Sequence, residues 1–303
     1  MSLADPLPGR DLAAFVTAVE SGTVQGAADA LQLTQSAATK RLQALERRVG
    51  RTLLERGAHG LRPTTAGGLL YPLAREALAA LERAEAAVTS SDKAPLLCVH
   101  ASRTVGETLM PDWLASFRAT APAFRVSATI SNSERVVQAV RDGTAEIGFV
   151  EGPSGGLHGL QELVVAHDEI RVIVASDHPW ARRRTVAPKE LTGEPYLARE
   201  AGSGTRAVAT ARLADAGVDL QPRSEVSSSE SLKRAVLASG FTLLSERVVA
   251  AEVAAGTLVA IPVSGVDLRR SLRALRRTRP APRGPARAFW LWLGRTLAPP
   301  AAD

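Results

Sequence analysis

The 303-residue chain predicts an α/β protein in parts: an N-terminal winged helix-turn-helix, a long helix, and a C-terminal region of two α/β lobes. Three observations predict it. Residues 22–49 carry two short amphipathic helical patterns joined by a tight polar turn. Residues 65–91 are rich in Ala and Leu, with apolar steps of three and four. Beyond Pro95 strand-like and helix-like segments alternate, the rhythm of a parallel sheet covered by helices.

Taken in order, an amphipathic helix comes first, with Leu12, Phe15, Val16 and Val19 on one side. In the next helix Ala27, Ala28 and Leu31 recur at helical spacing, and Leu33 is the apolar residue of the turn, placed to plug the angle between helices. Thr34 is placed to cap the helix that follows, its side-chain oxygen accepting an otherwise unpaired amide, while Ala38, Leu42, Leu45 and Val49 form the buried stripe. The opposite face presents Gln35, Ser36, Thr39, Lys40 and Arg41, side chains able to bond base edges and phosphates from a helix in the major groove. A small bundle with a solvated polar face shows the same apolar steps, so the surroundings decide. From 40 to 62, seven Lys and Arg residues stand against Glu46 and Glu55, and RTLLERGAHGLRPTTAG reads as a wing, two short segments around a Gly-rich turn.

The run from Asp11 to Gly67 resembles the DNA-binding domain of LysR-type transcriptional regulators. The resemblance lies in the Phe15 helix, the Ala27-Ala28 pair, Thr34-Gln35-Ser36-Ala37, Leu45-Glu46, Leu54-Glu55-Arg56, and Thr64 through Gly67. That family usually has Pro where this chain has Ser36, and an aromatic residue or Leu where it has Val24. The resemblance implies that Gln35, Ser36, Thr39 and Lys40 face the DNA groove and that Arg56 and Arg62 meet the flanking backbone.

Leu70, Leu73, Ala77, Leu81, Ala84 and Val88 form a coiled-coil-like seam, and Pro72 is expected to kink its beginning. A bland surface helix is the alternative; the resemblance makes it the linker helix through which two subunits pair, setting two recognition helices on two half-sites. The expected divisions are 1–64 for DNA binding, 65–94 for the linker helix and its hinge SSDKAP, and 95–303 for the two lobes.

In the lobes, strands are expected at LLCVHA, RVSATI, EIGFVEG, EIRVIVAS, PYLAR, RSEVSS and FTLLSE, with a strand-rich stretch from Thr257 to Leu275 crossing between lobes. Short polar residues sit between strand ends and helix starts at Ser102-Arg103-Thr104, Asn132-Ser133-Glu134, Gly202-Ser203-Gly204-Thr205 and Ser228-Ser229-Glu230-Ser231. Helix starts present unpaired amides, so hydroxyls converging there make a seat for a small anion; capping alone accounts for each cluster taken singly. From Leu96 to about Leu293 the chain is similar to the same family's effector-binding domain, which has a periplasmic-binding-protein-like fold. ASRTVGETLMP, NSERVVQAVRDGTAEIGFVEG, REAGSGTR and SSSESLKRAV look most like the regulators of sulfur assimilation. The resemblance implies a pocket lined by Ser102, Thr104, Ser133, Ser203 and Thr205 and a small, anionic effector, with Arg103 either adding charge to that pocket or pointing away.

Composition narrows the class further. The start MSLADPLPGR lacks an export signal, and no apolar stretch reaches the ~18 residues of a membrane span, so a cytoplasmic protein is expected. The single cysteine, Cys98, excludes an internal disulfide and reads as a small buried hydrophobe. The net charge of +6 is concentrated in the run Arg269 to Arg287, which reads as a solvated strand face and loop before it reads as a second nucleic-acid contact. His59, His100, His158, His167 and His178 have no metal-ligand spacing, so no metal, cofactor or catalytic site is expected. Three rivals remain. An NAD-dependent enzyme is suggested by the GxGxx(G/A) pattern at Gly202–Ala207 with Glu225 downstream, but that loop lies in the second lobe and not in a first βαβ unit. A transport binding protein fits the two lobes but lacks the export signal. A DNA-binding protein whose lobes sense nothing would gain no stability from ligands. The favoured expectation is a sequence-specific transcription regulator, not an enzyme. Its expected partners are double-stranded promoter DNA, a small-molecule effector, copies of itself as a homodimer or homotetramer, and RNA polymerase.

Overall fold

The computed structural model describes residues 7–57, 60–89, 95–121, 124–152, 157–280 and 282–297. The chain forms two compact units, N-terminal and C-terminal.

The N-terminal unit runs α1 (Gly9–Ser21), α2 (Val24–Ala30), α3 (Gln35–Val49), β1 (Leu54–Gly57), β2 (Gly60–Pro63) and α4 (Thr65–Thr89). Its core is Phe15 and Leu45 with Leu12, Ala27, Leu42, Leu53 and Ala74, and Val24 packs at its edge. The α2–α3 turn is set by Gln32 at φ +53 and by the Leu33 amide bonding the Ala28 carbonyl at 2.8 Å, with the Leu33 side chain half-buried. Thr34 caps α3, accepting the Ala37 N–H at 3.2 Å. The stripe of α3 ends at Leu45: Val49 is 36% exposed, because Gly50 turns left-handed at φ +69 and takes the chain away from the core. Glu46 does the holding there. Its carboxylate accepts the N–H groups of Leu53 at 2.7 Å and Leu54 at 3.3 Å, fixing the entry to the wing. Glu46→Ala strands both amides and is expected to speed their hydrogen exchange roughly tenfold or more; unchanged exchange over residues 50–57 would remove this role.

The wing pairs β1 and β2 antiparallel, Glu55 opposite Arg62. It is tied to the turn after α1 by the Leu61 N–H, which donates to the Gly22 carbonyl at 2.7 Å. Gly60 is required at this close approach, since a Cβ would lie 2.7 Å from that same carbonyl oxygen and φ is +114. His59 lies outside the described residues. A single helix, α4, runs through Pro72. The expected seam divides into two stripes: Leu70 and Ala77 join Ala74 and Leu78 on the core, while Leu69, Leu73 and Leu81 are 72%, 63% and 50% exposed. Apolar residues at 69, 70, 73, 74, 77, 78 and 81 cover more of the helix surface than one core can bury. The Val88 side chain and the hinge residues Ser90–Ala94 lie outside the described residues.

The C-terminal unit contains β3 (Leu96–Ser102), α5 (Arg103–Thr108), α6 (Met110–Thr120), β4 (Arg125–Ser131), α7 (Ser133–Arg141) and β5 (Ile147–Glu151). It continues with β6 (Leu160–Ala175), β7 (Leu197–Arg199), α8 (Gly204–Asp215), β8 (Ser224–Val226), α9 (Ser229–Val236) and β9 (Thr242–Ser245). It ends with α10 (Ala250–Ala254), β10 (Leu258–Ile261), β11 (Arg269–Arg277) and α11 (Gly284–Thr296). Strand β3 pairs parallel with β4 and β5, and β11 lies antiparallel between β5 and β6. The early part of β6 pairs with β11, and its end pairs with β9 and β10, so one strand serves both lobes. It begins well before EIRVIVAS: His167 and Asp168 interrupt the apolar pattern of the strand but not its pairing with β11. The first lobe buries Phe117, Phe149, Phe289, Leu97 and Leu272; the second buries Trp180, Leu191, Tyr196, Phe241 and Val172.

Two expectations from composition are corrected. The arginine run is not simply a solvated face, for Arg270 is buried and Arg276 lies over the Trp290 ring at 5.0 Å. Cys98 is half-buried, since β3 turns Leu97, Val99 and Ala101 into the core and Cys98 to the other side. Among the described residues no helix is long and apolar enough to cross a membrane, and no cluster of His, Cys, Asp and Glu is arranged to hold a metal.

Candidate DNA-binding face and interlobe site

The first turns of α3 stand clear of the core. Gln35, Ser36 and Lys40 are exposed and Thr39 and Arg41 half-buried. The Thr39 hydroxyl donates to the Gln35 carbonyl at 2.8 Å, leaving its methyl group and lone pairs outward, and the Ser36 and Thr34 hydroxyls lie 3.1 Å apart. In place of a proline ring, Ser36 thus offers a hydroxyl held beside the cap. Arg56 on β1 and Arg62 on β2 are exposed. Lys40, Arg56 and Arg62 form no ion pair with a carboxylate among the described residues, so their charge is free for phosphates.

Between the two lobes, three of the hydroxyls singled out from sequence, those of Ser102, Thr104 and Thr205, are drawn to one place, and charged residues of the chain already fill it. Ser102, Thr104, Ser203 and Thr205 are at most 2% exposed, as are Glu151 and Arg199, with Arg270 and Asp168 nearly so. Ser102 Oγ donates to Glu151 Oε2 at 3.0 Å. Thr205 Oγ1 donates to Glu151 Oε1 at 3.4 Å and accepts from Arg270 Nη1 at 3.0 Å. Thr104 Oγ1 accepts from Arg270 Nη2 at 3.3 Å. Arg270 clasps Asp168 Oδ2 through Nε at 2.8 Å and Nη2 at 2.6 Å, and Ser245 Oγ donates to Asp168 Oδ1 at 2.6 Å. Half-buried Ser133 reaches only the Glu151 carbonyl, at 3.0 Å. Ser203 turns away to cap α8, accepting the Arg206 N–H at 3.4 Å, and Ser228 likewise caps α9. Arg103 leans along its own helix toward Glu107, 3.7 Å away.

The backbone closes the same spot. A Cβ on Gly204 would lie 1.7 Å from the Glu151 carbonyl oxygen and 2.5 Å from Ser133 Oγ, so the start of α8 rests directly on the end of β5. This answers the dinucleotide rival: the GxGxx(G/A) loop has no space for a pyrophosphate, and Glu225 is paired with Arg206 at 2.8 Å. Beside the network opens a cavity of about 1050 Å³ lined by His167, Asp168, Arg247, Arg269, Arg270 and Arg273 among others, and by none of the five hydroxyl residues. On its wall, hydrogen bonds from the Arg269 side chain and backbone N–H hold the Asp267 carboxyl down to about 2.

Sequence reasoning missed Glu151, Asp168, Ser245 and Arg270. One signal was present for Arg270: it stands in phase with Leu272 and Ala274, the inward side of β11.

A helix-turn-helix with an exposed, cationic reading face, joined in one chain to a two-lobed α/β unit, defines a DNA-binding regulator and not an enzyme. Residues 10–68 match the bacterial regulatory helix-turn-helix protein, LysR family, and residues 90–298 match the LysR substrate binding domain. The chain belongs to the LysR family of transcriptional regulators. It is 38% identical over 291 residues to the uncharacterized HTH-type transcriptional regulator Rv2282c of Mycobacterium tuberculosis (strain ATCC 25618 / H37Rv), over 91% of this chain and 92% of that one. The sulfur-assimilation branch is only a distant relation, with 27% identity over 264 residues to CysL of Bacillus subtilis. In fold the chain resembles full-length CbnR complexed with its target DNA, at TM-score 0.64 and 22% identity over 96% of this chain and 100% of that one. The lobes also resemble the Synechocystis PCC6803 CcmR regulatory domain in complex with 2-PG, at TM-score 0.62 and 22% identity over 67% of this chain and 97% of that one.

Proposed function

We propose that the chain is a cytoplasmic, sequence-specific transcription regulator that reads double-stranded promoter DNA as a homodimer or homotetramer, acts on RNA polymerase, and answers to a small anionic molecule bound between its lobes. The observation that carries the reading is α3, whose exposed Gln35, Ser36 and Lys40 stand outward with Thr39 and Arg41 beside them. Gln35, Ser36 and Thr39 read base edges, Lys40 and Arg41 bridge base and phosphate, and Arg56 and Arg62 position the wing on the backbone. The divisions 1–64, 65–94 and 95–303 serve DNA binding, pairing and sensing. The outward leucines of α4 support pairing. Ser102, Thr104, Ser133, Ser203 and Thr205 supply the polar seat for the effector. CbnR with its target DNA and the CcmR domain with 2-PG are precedents in the same fold.

A footprint on the DNA upstream of the gene, with competitor DNA at physiological salt, tests the reading. Protection of a dyad-symmetric site is expected; protection no better than on random DNA would overturn it. On that site Gln35→Ala is expected to lose roughly 5- to 100-fold in affinity relative to random DNA. Arg62→Ala is expected to weaken both and to flatten the salt dependence by about one charge. Equal losses on both DNAs for Gln35→Ala would remove that residue from base reading.

A further inference from the structure

The seat between the lobes already holds a carboxylate, and it is the chain's own. Glu151 is the last residue of β5, 2% exposed. Its oxygens take the hydroxyls of Ser102 and Thr205, from the starts of α5 and α8 on opposite lobes, and Arg270 Nη2 lies 3.9 Å from Oε2. A free carboxylate entering this seat would use those same donors. It would also meet an unfavourable charge, because Glu151 and Asp168 already share the buried guanidinium of Arg270. Capping does not account for this arrangement. The Ser102 side chain makes no cap bond to α5, and Thr205 bonds across the lobes and not to the first turn of its own helix.

We infer that Glu151 is an internal ligand: its carboxylate occupies the anion seat between the lobes and holds them together, and a carboxylate effector acts by displacing it. The inference rests on the proposed effector site. It gives that site a chemistry, a competition between two carboxylates for Ser102, Thr205 and Arg270. It also gives the effector-free protein a defined arrangement, in which the lobes are latched. The ligand shifts the population only by the difference between its own affinity for the seat and that of Glu151.

The test uses the full chain without DNA, so it stands apart from any failure to find a footprint. Glu151→Ala keeps Cβ and vacates the volume of one acetate ion, which makes acetate the probe. Melting temperatures are compared in about 50 mM acetate, chloride and neutral acetamide. The unaltered protein is expected to melt alike in all three. Glu151→Ala is expected to melt about 3 °C or more higher in acetate than in either control, and adding Ser102→Ala is expected to abolish that difference. If Glu151→Ala does not fold in chloride, recovery of the fold in acetate alone is the expected result. Equal acetate shifts in variant and unaltered protein, no acetate effect on the variant, or an effect that survives Ser102→Ala would each overturn the inference.

Discussion

Replacing Arg270 with methionine is expected to destabilise the C-terminal unit by about 3–5 kcal/mol, the usual cost of breaking a buried ion pair by removing one partner. Methionine keeps much of the stem and removes the guanidinium. Asp168 then loses two bonds, at 2.8 and 2.6 Å, and keeps the Ser245 hydroxyl and the more distant Arg247 guanidinium, 3.9 Å away. Glu151 loses the cation 3.9 Å away. Both carboxylates keep side chains at most 2% exposed, so solvent screening gives little relief. Arg270 and Asp168 face each other across β11 and β6. Their joint replacement, Asp168→Leu with Arg270→Met, is therefore expected to recover part of the loss, because no unpaired charge remains at that cross-strand pair. Urea unfolding followed by tryptophan fluorescence measures this directly, since Trp113, Trp180, Trp290 and Trp292 all lie in the C-terminal unit. A loss under about 1 kcal/mol for Arg270→Met would mean that the guanidinium does not carry the buried carboxylates.

The contrast between the two units shows what a sequence discloses. In the DNA-binding unit the signals are local: the Thr34 cap acts three residues away, the helical stripes repeat every three or four, and the wing strands are separated by a short turn. That unit was legible almost to its ends, failing at Val49, where a left-handed glycine ends the stripe one turn early. In the α4 helix two adjacent apolar stripes read as one seam, because spacing alone does not say how much of a helix the core covers. The interlobe network is the opposite case. Arg270 meets Asp168 from 102 residues away and Thr104 from 166 away, so the inward phase of Arg270 on β11 marks its burial but nothing nearby marks its partners. Charged residues in a strand were taken for its solvated side. Here they pair with each other at the point where the strands pass between lobes. The hydroxyls at the helix starts were legible as a class, since strand ends and helix starts meet at such places in an α/β sheet. What they bind was not, because the group is a glutamate at the end of β5 whose position depends on the register of two other strands, β3 and β11.

The closure at this point rests on a backbone contact, and Gly204→Ala is expected to break it at a cost of about 2–3 kcal/mol. The added Cβ falls 1.7 Å from the Glu151 carbonyl oxygen and 2.7 Å from its carbon. Both are backbone atoms of a fully buried strand, so no flexible side chain can swing aside. Alanine favours a helix over glycine by roughly 1 kcal/mol in a helix interior and by less at this first position, so the steric term wins. Relief requires the start of α8 to lift from β5. That movement carries Thr205 away from Glu151 and Arg270 together, because all three meet within one turn of Gly204. Gly217→Ala provides the control. Gly217, unlike the helical Gly204, takes a left-handed φ, +76, and a Cβ there meets nothing within 4 Å, so only the backbone strain of about 1–2 kcal/mol is expected. The same fluorescence-detected unfolding reads both variants. If Gly204→Ala unfolds at the urea concentration of the unaltered protein, α8 does not rest on β5, and the latch made by Glu151 loses the support it needs. If it unfolds early and Gly217→Ala less so, the extra loss measures how firmly the two lobes are held by a contact that leaves no room for a side chain.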